Sequence, residues 1–93
     1  MPARPEVLVS EDISGTDATS WGQFRGHFNI SLSGFNGHTV ELQRSFDDGT
    51  TPLTLATYTE DTEDIHYEPE EGIVYRVEIT GAGTGSVAAR LSK

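Results

Sequence analysis

A chain of 93 residues is enough for one small domain, and with 15 acidic against 6 basic side chains its formal net charge is −9. That balance excludes a phosphate-binding nucleic-acid surface, which needs clustered Lys and Arg. The absence of cysteine excludes both a disulfide framework and a thiolate metal site.

No apolar run approaches the roughly 18 residues of a membrane-spanning helix. Met1 to Glu6 is too short and polar for a signal peptide, so neither a membrane nor secretion is expected. A domain of this size buries only about 60 per cent of its unfolded surface, which makes extra burial in an oligomer useful.

The first stretch, with Pro2 and Pro5 flanking Arg4, reads as an extended arm because proline fixes φ and restricts its predecessor. Glu6 to Ser10 reads as a first strand, and Glu11 to Ser20 as a loop that ends at Trp21. Residues 1–20 are therefore assigned to an arm and loop containing a first strand, and 21–93 to the core. Phe24, Phe28, Ile30 and Leu32 share a phase, which predicts a single strand to Ser33 with Gly26 as a bulge or close approach.

His38 to Phe46 is the next strand, with Val40, Leu42 and Phe46 inward. Arg44 breaks its alternation, which predicts either a bulge near Gln43 or a guanidinium at the domain edge with its stem buried. The Asn36-Gly37 bend between these two strands is a hairpin signal, and Asp48-Gly49 suits the positive φ angles of a type I′ turn. If the two strands fall in opposite sheets, the Asn36-Gly37 bend spans the sandwich edge and carries Phe35 outward.

Leu53 to Thr59 follows as a strand behind Pro52, with either Leu53-Leu55 or Ala56-Tyr58 facing the core. Glu60 to Glu71 holds seven of the 15 acidic residues and a short strand in which Ile65 and Tyr67 share a face. Ile73, Tyr75, Val77 and Ile79 form the most regular alternation, and Val87, Ala89 and Leu91 point inward on the last strand.

No helix is predicted. Seven short strands separated by turn residues predict an all-β, antiparallel, immunoglobulin-like or fibronectin type III-like β-sandwich. In that order the strands at 38–46, 73–79 and 87–91 share one sheet, and those at 24–33 and 65–67 lie in the other. Glu41 then approaches Arg76, and Glu78 approaches Arg90.

The residues carry little recognisable chemistry. His27, His38 and His66 match no metal-ligand spacing and read as surface histidines, and Glu60 to Asp64 lacks the order of a calcium loop. Gly81 to Gly85 has no following Lys-Ser/Thr and reads as a turn. Asn29-Ile30-Ser31 fits a glycosylation sequon by coincidence in a chain not read as secreted. With no nucleophile elbow, no cysteine and no histidine set beside a serine, the chain is read as neither an enzyme nor a cofactor binder. Large apolar residues outside the strand pattern remain: Phe35 reads as an interface anchor, while Trp21 is divided between an anchor and a cap on the sandwich.

Between Trp21 and Leu91, Phe28-Asn29-Ile30-Ser31-Leu32-Ser33-Gly34 is followed by Val40-Glu41-Leu42-Gln43-Arg44-Ser45-Phe46-Asp47-Asp48-Gly49. Glu68-Pro69, Gly72, Tyr75-Arg76 and a glycine-rich turn into a closing strand complete the pattern. It resembles small β-sandwich virion proteins of tailed bacteriophages. It departs from them at Thr51-Pro52, where such sequences often place a tryptophan, so a packing role there does not carry over.

The resemblance implies a non-enzymatic, head-decoration-like structural protein of the virion. It implies a major capsid protein or other virion protein as partner and a homo-oligomer, with a trimer among the assemblies considered. Arg4 and Pro5 of the arm join Trp21 and Phe35 as interface candidates. A tail or neck accessory protein is the alternative within that class. An immunoglobulin-like carbohydrate- or protein-binding module, which needs an exposed aromatic platform formed by Trp21 or the tyrosines, is the alternative outside it.

Overall fold

Apolar residues recurring at every second position carry the chain through eight strands. They are β1 (Val7–Ser14), β2 (Gly22–Gln23), β3 (Gly26–Ser33), β4 (Thr39–Ser45), β5 (Leu53–Tyr58), β6 (Thr62–Glu68), β7 (Val74–Gly81) and β8 (Ser86–Ser92). The structure is a computed structural model that describes residues 7–93. Among these residues there is no helix.

β1 pairs with β8, β2 with β7, β3 with β6 and β4 with β5, all antiparallel. The chain is thus one long two-stranded ribbon bent at the β4–β5 turn. The ribbon is rolled up so that β3 also pairs with β8 and β4 with β7. Two four-stranded sheets result, ordered β1-β8-β3-β6 (sheet A) and β2-β7-β4-β5 (sheet B). This is the winding of a jelly roll.

The all-β sandwich matches the sequence reading, but there are eight strands where seven were expected, and the last one lies elsewhere. In the immunoglobulin-type order β8 sits beside β7; here it sits between β1 and β3. Glu78 on β7 and Arg90 on β8 consequently belong to opposite sheets, and their expected pairing is lost. The assignments of β3 with β6 and of β4 with β7 hold.

The additional strand arises at Gly26. Its φ of +81°, a conformation glycine adopts without a Cβ penalty, breaks the expected strand from Phe24 to Ser33. The additional strand β2, just before the expected start at Phe24, joins sheet B, and β3, from Gly26 on, joins sheet A. Phe24 stays in the core: its N–H donates to the Ile73 carbonyl (3.1 Å) and its ring stacks on Phe28 with centroids 4.4 Å apart. β1 runs on to Ser14, four residues past the expected end, because Ile13 keeps the inward phase of Val9 while Asp12 and Ser14 face water.

Inward side chains from both sheets meet in one core, including Ile30, Leu42, Tyr75, Val77, Val87 and Leu91. Phe46 does not reach it and is 60 % exposed, contrary to expectation. β4 stops at the buried Ser45, whose Oγ accepts the Gly49 N–H at 2.9 Å, so the chain turns before Phe46 can follow Leu42 inward. Asp48 (φ +58°) and Gly49 (φ +91°) form the predicted turn, closed by Thr50 N–H to the Asp47 carbonyl at 3.3 Å. The bulge expected in this strand near Gln43 is absent: β4 keeps register with β7 from Val40 to Ser45, and Arg44 stays in the inward phase at the end of the sandwich, the other alternative. The bulge lies in the partner strand, where Leu42 opposes Ala56 and Gln43 opposes Thr54, leaving Leu55 as the extra residue of β5.

Candidate functional site

The β3–β4 connection crosses from sheet A to sheet B, with positive φ at Asn36 (+37°) and Gly37 (+89°) and a His38 N–H to Phe35 carbonyl bond of 2.7 Å. Phe35 is 4 % exposed and belongs to the core, so its expected role as an outward anchor is overturned. The crossing pulls the ring inward, because the bend leans on the β7–β8 loop instead of projecting.

His38 holds that contact and is buried, not on the surface. Its Nδ1 accepts the Gly83 N–H (2.9 Å) and its Nε2 faces the Gly85 carbonyl (3.0 Å), so both ring nitrogens are held by the β7–β8 loop. A Cβ at Gly83 would stand 2.3 Å from the Asn36 carbonyl oxygen, so the glycine run serves a close backbone approach. His66 is half-buried against Phe28 and Tyr75, and only His27 is exposed, beside Tyr67. Among the described residues no group of His, Asp and Glu is arranged to hold a metal.

Arg44 points between the sheets, opposite Tyr75, at the end of the sandwich. Its Nε and Nη2 donate to Glu68 Oε1 (2.5 Å) and Oε2 (3.0 Å), and the Tyr75 hydroxyl donates to Oε1 at 2.7 Å. The Glu70 N–H completes the shell of the buried carboxylate at 3.0 Å. The Arg44 hydrogen bond, helped by Tyr75 and Glu70 against the cost of burial, lowers the Glu68 carboxyl to about 2. The same partner raises Arg44, and burial raises Tyr75 above its ordinary range. Every buried side-chain polar atom here has a partner, and the cluster ties sheet to sheet.

On the outer face of sheet B, Glu41 and Glu78 lie directly opposite one another. Gln43 separates them: its Nε2 donates to Glu78 (2.9 Å) and Glu41 (3.4 Å), and its Oε1 accepts from Arg76 Nε at 2.8 Å. Glu41 thus meets Arg76 through Gln43, while Arg76 itself pairs with Glu78 at 3.6 Å. The Arg76 guanidinium covers the Trp21 ring at 4.6 Å, and the indole rests on Gly49, where a Cβ would stand 2.7 Å from Nε1. Trp21 is half-buried outside the core, neither a plug in the sandwich nor an open platform.

Apart from Phe46, the large exposed apolar groups lie elsewhere, on β5 and β6. β5 and β6 are the outermost strands of sheets B and A on the same side of the sandwich, and Tyr58 on β5 donates to Asp64 on β6 at 3.0 Å. Burial and that carboxylate push the Tyr58 hydroxyl up to about 12. Along this margin Leu53 (44 % exposed), Leu55 (43 %), Ile65 (65 %) and Tyr67 (55 %) face solvent. Ile65 and Tyr67 share a face, as the sequence predicts, and it is the outer face, opposite Asn29 and His27.

Around them lie Glu60, Asp61, Glu63, Asp64, Glu70 and Glu71. Several of these carboxylates are engaged locally, Asp61 with the Gly34 N–H (3.0 Å) and Glu63 with Ser31 (2.7 Å). The sequence reading selected Arg4, Pro5, Trp21 and Phe35; the first two lie outside the described residues and the other two are on neither β5 nor β6. The signal missed was the apolar content of two strands whose place at the sheet edges only the topology reveals. Comparison of the chain with protein-family models, curated proteins and solved structures found no match.

Proposed function

We propose that this protein is a non-enzymatic structural component of a tailed-phage virion, a decoration protein that binds the outside of the capsid lattice. The observation that carries the reading is the β5–β6 margin, where four large apolar side chains are exposed along two adjacent sheet edges. Apolar and aromatic groups grouped in this way form the centres of protein interfaces. The sequence resemblance supplies the virion context, and a sandwich held by hydrogen-bonded, fully satisfied internal groups supplies a rigid body suited to a lattice.

A carbohydrate-binding module is less favoured, because Arg76 covers the Trp21 ring, Tyr75 is buried and Tyr58 is half-buried, which leaves Tyr67 alone among these aromatics exposed to stack on a sugar. The test is sedimentation with tailed-phage heads lacking their decoration protein. On the proposal the protein co-sediments, raises the temperature at which the heads rupture and has no affinity for glycans. A protein that stays in the supernatant and binds a glycan array contradicts it.

A further inference from the structure

β6 is a seven-residue strand, Thr62–Glu68, in unbroken register with Gly26–Leu32 of β3. Among the described residues it has no second strand neighbour. The other edge on this margin, β5, is interrupted by the Leu55 bulge, a device that spoils edge-to-edge pairing. β6 has no bulge.

The Ile65 N–H is bonded to Asp64 Oδ1 at 2.8 Å and so points away from β3, toward the open side. In an antiparallel ladder the outward groups alternate, which places the backbone of Glu63, Ile65 and Tyr67 at the edge. Asp64 stands where the carbonyl of an added strand would lie. It is exposed, so it can rotate toward the newcomer in exchange for its bonds from the Ile65 N–H and the Tyr58 hydroxyl.

The charge around this edge selects the occupant. Seven of the chain's 15 acidic residues fall between Glu60 and Glu71. A second copy would set acidic strand against acidic strand, where directly opposed like charges are destabilising. We infer that β6 receives an extended, basic segment of another protein by strand addition, with Lys or Arg facing Asp64 and apolar residues on the other face, against Ile65 and Tyr67. The inference rests on the protein-docking reading of this margin and names the chemistry of its partner.

The test is amide exchange and chemical-shift mapping on the isotope-labelled protein with a peptide of roughly eight residues alternating Lys with Val, about the length of a natural strand. A peptide with Glu in place of Lys is the control. The Lys peptide is expected to slow exchange at Ile65 and Tyr67 at least about tenfold, and the Glu peptide to leave it unchanged, a difference of about 1.4 kcal/mol. Asp64→Lys, shown to be folded by its amide spectrum, should reverse the preference.

Equal effects of both peptides, no protection on β6, or mapping to another face overturns the inference. If the protein binds phage heads while β6 remains unprotected by the Lys peptide, strand addition fails and the virion reading stands. If β6 is protected and no head binds, the virion reading fails alone.

Discussion

Arg44 on β4 and Glu68 on β6 join the two sheets through a two-point ion pair, Nε to Oε1 at 2.5 Å and Nη2 to Oε2 at 3.0 Å. Removing one partner strands the other. Glu68→Gln is expected to cost about 2–3 kcal/mol, toward the lower end of the range for a broken buried pair because Arg44 retains some contact with water. Arg44→Met/Glu68→Leu should cost less than the sum of the two single changes, and chemical denaturation of all four proteins measures that coupling. Tyr75→Phe, which removes only the hydroxyl donated to Glu68, should cost about 1 kcal/mol.

The same carboxylate predicts an acid limb. Its pKa falls from an ordinary 4.5 to about 2 in the folded protein, so the unfolded chain takes up the proton first as pH drops. Glu68 therefore contributes stability that is fully present above about pH 4.5 and is lost as pH falls toward 2, up to about 3 kcal/mol. Wild type should lose stability through this window more steeply than Glu68→Gln. Tyr58 acts at the other end: its raised pKa of about 12 gives stability that is present below pH 10 and lost as pH rises through 12.

At the opposite end of the sandwich, Phe35 and Gly83 lock the β3–β4 bend to the β7–β8 loop. Phe35→Ala should destabilise by about 3–5 kcal/mol, the range for a buried aromatic, which an interface residue would not do. Gly83→Ala forces a Cβ against the Asn36 carbonyl and should cost about 1–3 kcal/mol. Thermal unfolding of each variant checks both.

On the β5–β6 margin the expectation is reversed. Leu55→Lys and Ile65→Lys alter exposed side chains and should change folding stability by no more than about 0.5 kcal/mol. Light scattering should show both variants to be at least as resistant to aggregation as wild type, because each places a charge on an exposed apolar edge.

Strand content was legible wherever alternation was strong. Ile73, Tyr75, Val77 and Ile79, with Val87, Ala89 and Leu91, are buried as their spacing implies. The turn at Asp48-Gly49 was legible too, since it is a local matter of φ; the irregularity flagged at Arg44 lies in β5, at Leu55, and not in β4. The placement of β8 was not, because a strand with one apolar face reads alike in either sheet. Phe35 misled because a large apolar residue at a bend has the same local sequence whether it turns in or out. Arg44 signalled an irregularity, but its partner lies 24 residues away on the other sheet, beyond any local pattern. The β5–β6 margin escaped for a similar reason: Leu53, Leu55, Ile65 and Tyr67 look like core residues until the strand order puts them at the edge.

The most direct test of the docking margin is the affinity of Ile65→Lys/Tyr67→Lys for undecorated phage heads. Its comparison is Ser10→Lys/Ser14→Lys, which adds the same charge to exposed positions on β1, the opposite edge of sheet A. With both variants folded as wild type, the β6 variant should bind at least about tenfold more weakly and the β1 variant within about twofold of wild type. Equal affinities for the two variants, or a loss confined to the β1 variant, would contradict the assignment of the β5–β6 margin as the docking surface.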